Sequence, residues 1–152
     1  MGKGREKMLI GEYHHSVDKK NRLIIPSSLR QQVDKKNGFI ITRGLDKSLF
    51  LYSFLEWQNL GNRLKNLSTT QSNTRAFLRL LSSGAHAVKP DTQGRIILPQ
   101  TLKGFAQIKE KVAIIGAFNK IEIWSEERWN IYYCEKRIIF EELSEKIMDL
   151  GI

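Results

Sequence analysis

A chain of 152 residues with 41% hydrophobic side chains has an ordinary globular composition and room for one compact domain or two small fused modules. No run approaches the roughly 18 apolar residues of a membrane span, and the start around Lys3, Arg5, Lys7 and Glu12 is too charged for a signal peptide, so the chain is expected in the cytoplasm. The net charge of +9 asks for a polyanionic partner and is unevenly spread: residues 1–43 hold ten Lys/Arg against four Asp/Glu, while residues 125–152 hold four against seven.

In chain order, a β-prone segment from Leu9 to Val17 leads to the turn Asp18-Lys19-Lys20-Asn21-Arg22 and a branched run, Leu23-Ile24-Ile25. Pro26 stops that run, and a short helix can start there. Phe39 to Thr42 and Leu49 to Tyr52 read as a hairpin turned at Gly44-Leu45-Asp46-Lys47. Ser53-Phe54-Leu55-Glu56 has capping-box spacing, and Trp57, Leu60, Leu64 and Leu67 recur at helical intervals behind it. A connecting helix is expected from about Gln71 to Leu81, with Ala76, Phe77, Leu80 and Leu81 on its apolar side. The pattern then starts again. A segment from His86 to Lys89 leads to Asp91-Thr92-Gln93-Gly94-Arg95, then to Ile96-Ile97-Leu98 ended by Pro99. Val112 to Ile115 and Ile121 to Trp124 predict a second hairpin, turned at Ala117-Phe118-Asn119-Lys120. Ser125 caps what reads as one long amphipathic helix, with Trp129, Tyr132, Ile139, Leu143, Ile147 and Leu150 on one face and Gly151 as its C-cap. The single cysteine, Cys134, reads as a buried, inert thiol in that helix.

The repetition is explicit in the letters. Asp18 to Leu29 matches Asp91 to Leu102 at an offset of 91 − 18 = 73, and Gly11 falls on Gly84. Gly44, Tyr52, Ser53 and Trp57 fall on Gly116, Trp124, Ser125 and Trp129 at an offset of 72, which implies one deletion. Two copies are too few for a solenoid, so a pseudo-twofold pair is expected. The modules read as residues 8–67 and 81–150, the second including the long C-terminal helix, joined by a helix within 68–80.

The chemistry points to the turns. Asp18 and Asp91 can accept from amides further along, while Asn21 and Gly94 suit a positive φ, so these four are turn makers. Nothing in turn geometry asks for arginine, so Arg22 and Arg95 are read as forks for phosphate or guanine, the alternative being an ion pair with the nearby aspartate. Lys19, Lys20 and Arg30, with Lys35, Lys36 and Arg43, are placed around the first turn, and Lys89 and Lys103 around the second. With Thr92 and Gln93 in place of Lys19 and Lys20, the first loop should be the stronger. No enzyme signature stands out: the histidines are His14, His15 and His86, and the adjacent pair points to opposite faces of a strand. No metal or cofactor site is expected. A protein-interaction module and a non-specific nucleic-acid binder remain alternatives to a sequence-specific DNA binder.

Across nearly its whole length the chain resembles the MraZ family of bacterial transcriptional regulators. The resemblance rests on Gly11-Glu12-Tyr13, Asp18 to Pro26, Thr42-Arg43-Gly44-Leu45-Asp46, Ser83-Gly84-Ala85, Asp91 to Pro99, Ile121-Glu122-Ile123-Trp124-Ser125 and Asp149-Leu150-Gly151-Ile152. The family motif Asp-x-x-Gly-Arg is met in full by Asp91, Gly94 and Arg95, whereas Asn21 departs from it between Asp18 and Arg22. Residues 1–7 precede the usual family start. The resemblance implies an α+β fold of two tandem AbrB-like swapped-hairpin modules forming a pseudo-twofold β-barrel with flanking helices. It also implies a ring-shaped homo-oligomer, an octamer or similar, that binds double-stranded DNA at direct repeats in the promoter of the division and cell-wall gene cluster and associates with the nucleoid. No small-molecule substrate and no membrane partner are expected.

Overall fold

The computed structural model describes residues 8–31 and 36–149. The expectations for residues 1–7, Lys35, Leu150 and Gly151 lie outside the described residues. The first repeat supplies β1 (Glu12–Ser16), β2 (Arg22–Ile24), α1 (Ser27–Arg30), β3 (Phe39–Arg43), β4 (Leu49–Ser53) and α2 (Phe54–Leu64). After α3 (Ser72–Ser83), the second supplies β5 (His86–Val88), β6 (Arg95–Ile97), α4 (Gln100–Phe105), β7 (Lys111–Gly116), β8 (Ile121–Ser125), α5 (Glu126–Ile138) and α6 (Phe140–Met148). The repeat visible in the letters is thus a repeat of elements.

The repeats exchange strands. β1 pairs with β7 of the second repeat, and β5 pairs with β3 of the first, giving one antiparallel sheet in the order β1-β7-β8-β4-β3-β5. The register keeps the twofold, since His15 lies opposite Val112 as Val88 lies opposite Phe39. A separate ribbon joins β2 to β6, with Leu23 opposite Ile96. The architecture is α+β. A β1–β5 pairing, which would close the long sheet into the expected barrel, is not among the described pairings.

Register also moves the deletion. Gly116 lies opposite Ile121 as Arg43 lies opposite Leu49, so Gly116 is the counterpart of Arg43, not of Gly44. The missing residue falls in the second hairpin turn, where Ala117–Lys120 replace Gly44–Ser48. Turns tolerate such a loss because no ladder bond is shifted.

The core lies where the repeats meet. Leu23, Ile25 and Leu29 share one cluster with their counterparts Ile96, Leu98 and Leu102, all nearly or wholly buried. Each leucine or isoleucine side chain removed from water contributes about 1.5–3 kcal/mol, and since the six come equally from both repeats, neither repeat buries this core alone. The capping serines perform as their spacing predicts: Ser53 accepts from the Glu56 amide at 3.2 Å and Ser125 from the Arg128 amide at 3.4 Å, each worth about 1 kcal/mol.

The C-terminal helix departs from expectation. It breaks at Ile139, whose φ of −103° and ψ of 14° separate α5 from α6. Ile138, Ile139 and Phe140 are consecutive weak helix formers, and Ile138 remains largely in solvent, so little packing offsets their poor propensity. Trp129 and Tyr132 pack on Trp124, with ring centroids 5.3 and 4.9 Å away. Cys134, two positions past Tyr132 and so turned away from that contact, is exposed rather than buried.

Candidate nucleic-acid interface

Each Asp-headed turn is built by the same bonds. In the first, the Asn21 amide donates to the Asp18 carbonyl and the Asp18 amide to the Arg22 carbonyl, both at 3.0 Å. Asp18 Oδ1 accepts from the Lys20 and Arg22 amides at 2.9 Å, and Oδ2 accepts from Arg22 Nε at 2.7 Å. The second turn repeats this: Asp91 Oδ1 accepts from the Gln93 and Arg95 amides at 2.9 Å, and Oδ2 from Arg95 Nε at 2.8 Å. Asn21 and Gly94 take the left-handed conformation, with φ of 61° and 80°. An asparagine in place of glycine therefore leaves the backbone path unchanged, as its tolerance of that region allows.

Turn geometry does use the arginines, against the sequence reading. Both form the ion pair that was the alternative role. Ion pair and ligand contact are compatible, because the carboxylate engages Nε, and among the described hydrogen bonds none involves the Nη groups of Arg22 or Arg95. A guanidinium held at Nε keeps a fork of two nitrogens and has already lost rotamer freedom that a ligand would otherwise have to restrict. Hydrogen bonds from the Arg22 and Arg95 amides, followed by those from the guanidiniums, hold the Asp18 and Asp91 carboxyls below their ordinary range against opposing desolvation. Both aspartates are thus anionic at neutral pH.

The β2–β6 ribbon brings the turns together. Arg22 lies opposite Ile97 and Arg95 opposite Ile24, so the arginines occupy diagonal corners of a single antiparallel ribbon. Diagonal positions of this kind sit about 7–8 Å apart at Cα. Cross-ribbon bonds lock the turns to it, from the Ile25 amide to the Gly94 carbonyl at 2.9 Å and from the Leu98 amide to the Asn21 carbonyl at 2.8 Å.

The flanking cations are exchanged relative to the sequence reading. Arg30 belongs to the second turn: its Nε donates to the Ile25 carbonyl at 2.6 Å, and its guanidinium lies over Gly94, where an added Cβ would come within 2.4 Å of Cζ. Lys103 belongs to the first turn, donating to Asn21 Oδ1 at 2.9 Å, while Asn21 Nδ2 donates to Gln100 at 3.1 Å. The cause is topological, since each short helix follows one ribbon strand and reaches the turn that precedes the other. Lys19 and Lys20 are exposed on the first turn. Lys89 is exposed just before the second, its stem against Gly38 of the other repeat. Arg43 is drawn away, donating to the Leu80 carbonyl and to Ser83.

Sequence reasoning missed the alternation inside the ribbon runs. Leu23 and Ile25 are fully buried but Ile24 is 41% exposed, and Ile97 is 61% exposed between buried Ile96 and Leu98. The signal was the period of two, hidden because all six residues are apolar. Among the described residues no cluster of three metal-ligating side chains occurs, and no helix is long and apolar enough to cross a membrane.

A family model described as "MraZ protein, putative antitoxin-like" matches residues 8–80 and again 81–150. A protein named transcriptional regulator MraZ from Clostridium botulinum (strain Eklund 17B / Type B) is 46% identical over 145 residues, covering 95% of this chain and all of the relative. Proteins of the same name from Clostridium tetani and Clostridium acetobutylicum are 44% identical with the same coverage.

Proposed function

Because the chain belongs to the MraZ family, we propose that this transcriptional regulator reads duplex DNA with the β2–β6 ribbon and its two arginine turns. The protein is not an enzyme, as befits a family of transcriptional regulators. One observation carries the reading: Arg22 and Arg95 stand at diagonal corners of one ribbon, each aimed by its own aspartate through Nε. A two-stranded ribbon fits the major groove, and an arginine fork matches guanine O6 and N7. Lys19 and Lys20 at the first turn and Arg30 and Lys89 nearer the second meet phosphates, contributing affinity without sequence information.

The regulator assembles into a ring-shaped homo-oligomer and binds direct repeats in the promoter of the division and cell-wall gene cluster, acting in the cytoplasm on the nucleoid. One ribbon spans few base pairs, so linked copies on evenly spaced repeats gain through effective concentration about 10²- to 10⁴-fold. The tandem modules 8–67 and 81–150, intertwined as a pseudo-twofold swapped-hairpin barrel, make the unit of that ring. Its subunit contacts use α5 and α6, where Ile131, Tyr133, Ile138, Phe140 and Met148 are all exposed.

Selection of the purified protein on a random duplex library at physiological salt tests the DNA reading. Enrichment of a short motif at fixed spacing is expected. Salt-sensitive retention without enrichment would leave a non-specific binder, and no retention would overturn the proposal.

A further inference from the structure

The ribbon that presents the arginines presents two isoleucines that the core does not use. Ile24 and Ile97 are 41% and 61% exposed on three-residue strands whose central residues, Leu23 and Ile96, are fully buried. Outward positions on a half-buried antiparallel strand are ordinarily polar. Scattered exposed apolar residues need no explanation, but these two are equivalent under the repeat and each lies directly opposite an arginine. The outward face is therefore a four-residue tile, with arginine on one diagonal and isoleucine on the other.

We propose that Ile24 and Ile97 are base-reading residues that seat against the C5-methyl groups of thymines in the major groove, beside the guanines taken by Arg22 and Arg95. The inference rests on the DNA-binding reading. A ribbon lying in a groove about 12 Å wide puts its outward face on the base edges, where the thymine methyl is the apolar group on offer. The charged members of the tile fix its occupant as a polyanion, in a chain of net charge +9. An isoleucine neither donates nor accepts, so it adds nothing toward phosphate and can only discriminate between bases. Base pairs rise about 3.4 Å per step, so a diagonal of about 7–8 Å separates the arginines by two steps. Each isoleucine, at about 4.5–5.5 Å from its paired arginine, falls within two steps of that arginine's base. The target is then a guanine with a nearby thymine, read twice.

The test uses the duplex enriched from the random library, with its thymines replaced one at a time by deoxyuridine. This removes the methyl and leaves every hydrogen-bonding group. Affinity is expected to fall about three- to tenfold at two positions, the loss that follows from one methyl no longer buried. Ile24→Ala and Ile97→Ala should each lower affinity for the thymine duplex by a similar factor and lose sensitivity to uracil at one position. The slope of affinity against salt should stay unchanged, because no phosphate contact is lost. Both side chains are exposed, so the variants should keep the parent's melting temperature, and Ile24→Val and Ile97→Val should retain most of the discrimination. An enriched motif without thymine near its guanines would overturn the proposal, as would wild-type affinity on every uracil duplex or a uracil penalty that persists in both alanine variants. In those cases the DNA-binding reading would stand. Failure to retain any duplex would remove both.

Discussion

The two Asp-headed turns share their bonds and differ in what fills the space above the left-handed residue. The aspartate to Nε distances are 2.7 and 2.8 Å, and the carboxylate-to-amide distances are 2.9 Å in both. At Gly94 the space is taken by the Arg30 guanidinium from across the ribbon. At Asn21 the residue's own side chain fills it and is tied to Gln100 and Lys103. Glycine with arginine and asparagine with lysine are two solutions to one packing problem. A residue read alone as a departure from a motif is half of a correlated pair, and its partner lies in the other repeat.

Breaking the tighter solution should have the largest effect. Gly94→Ala forces a Cβ into a φ of 80° and into Arg30, and should cost about 2–3 kcal/mol of stability in chemical denaturation. Adding Arg30→Ala should recover part of that loss, and strictly additive costs would mean that the clash is absent in solution. Next come the arginines. Arg22→Ala and Arg95→Ala should each weaken binding to the selected duplex by about 1–3 kcal/mol and relax base preference at one position. A loss uniform over all sequences would reduce them to phosphate contacts. Exchanging one solution for the other should matter least for stability: Asn21→Gly with Lys103→Arg rebuilds the second turn at the first and should change stability by less than about 1 kcal/mol, whereas Asn21→Gly alone leaves Lys103 without its acceptor.

Local signals were legible in the sequence. Positive φ at position 21 and at Gly94 followed from turn chemistry, and both hairpins and both serine caps from residue spacing. Long-range choices were not. The letters of the repeat are the same whether β1 pairs with β3 or with β7, so the exchange of strands, and with it the crossing of Arg30 and Lys103, depends on which pairing buries Leu23 and Ile25 against Ile96 and Leu98. The break at Ile139 escaped because an apolar residue at helical spacing satisfies periodicity even where its branching weakens the helix. The outward aim of Ile24 and Ile97 escaped because burial, not residue type, alternates along those strands.

Acid should act on both turns alike and gently, because both carboxylates are solvent-facing and screened. Each folded carboxyl is held below its ordinary value of 3.8, first by the amide of the arginine four residues on. A depressed value means that the native turn prefers the anion, so its stabilisation is complete above the unfolded value and is lost only as pH falls through the depressed one. The turns should therefore stay intact from neutral pH down to about 4 and loosen together below it. Carboxyl carbon NMR checks this: Asp18 and Asp91 should both titrate below 3.8, and the Arg22 and Arg95 amides should lose exchange protection in the same range. If only one aspartate is depressed, the bonds of the other turn do not persist in solution, and the equivalence of the two ends of the ribbon fails at that turn.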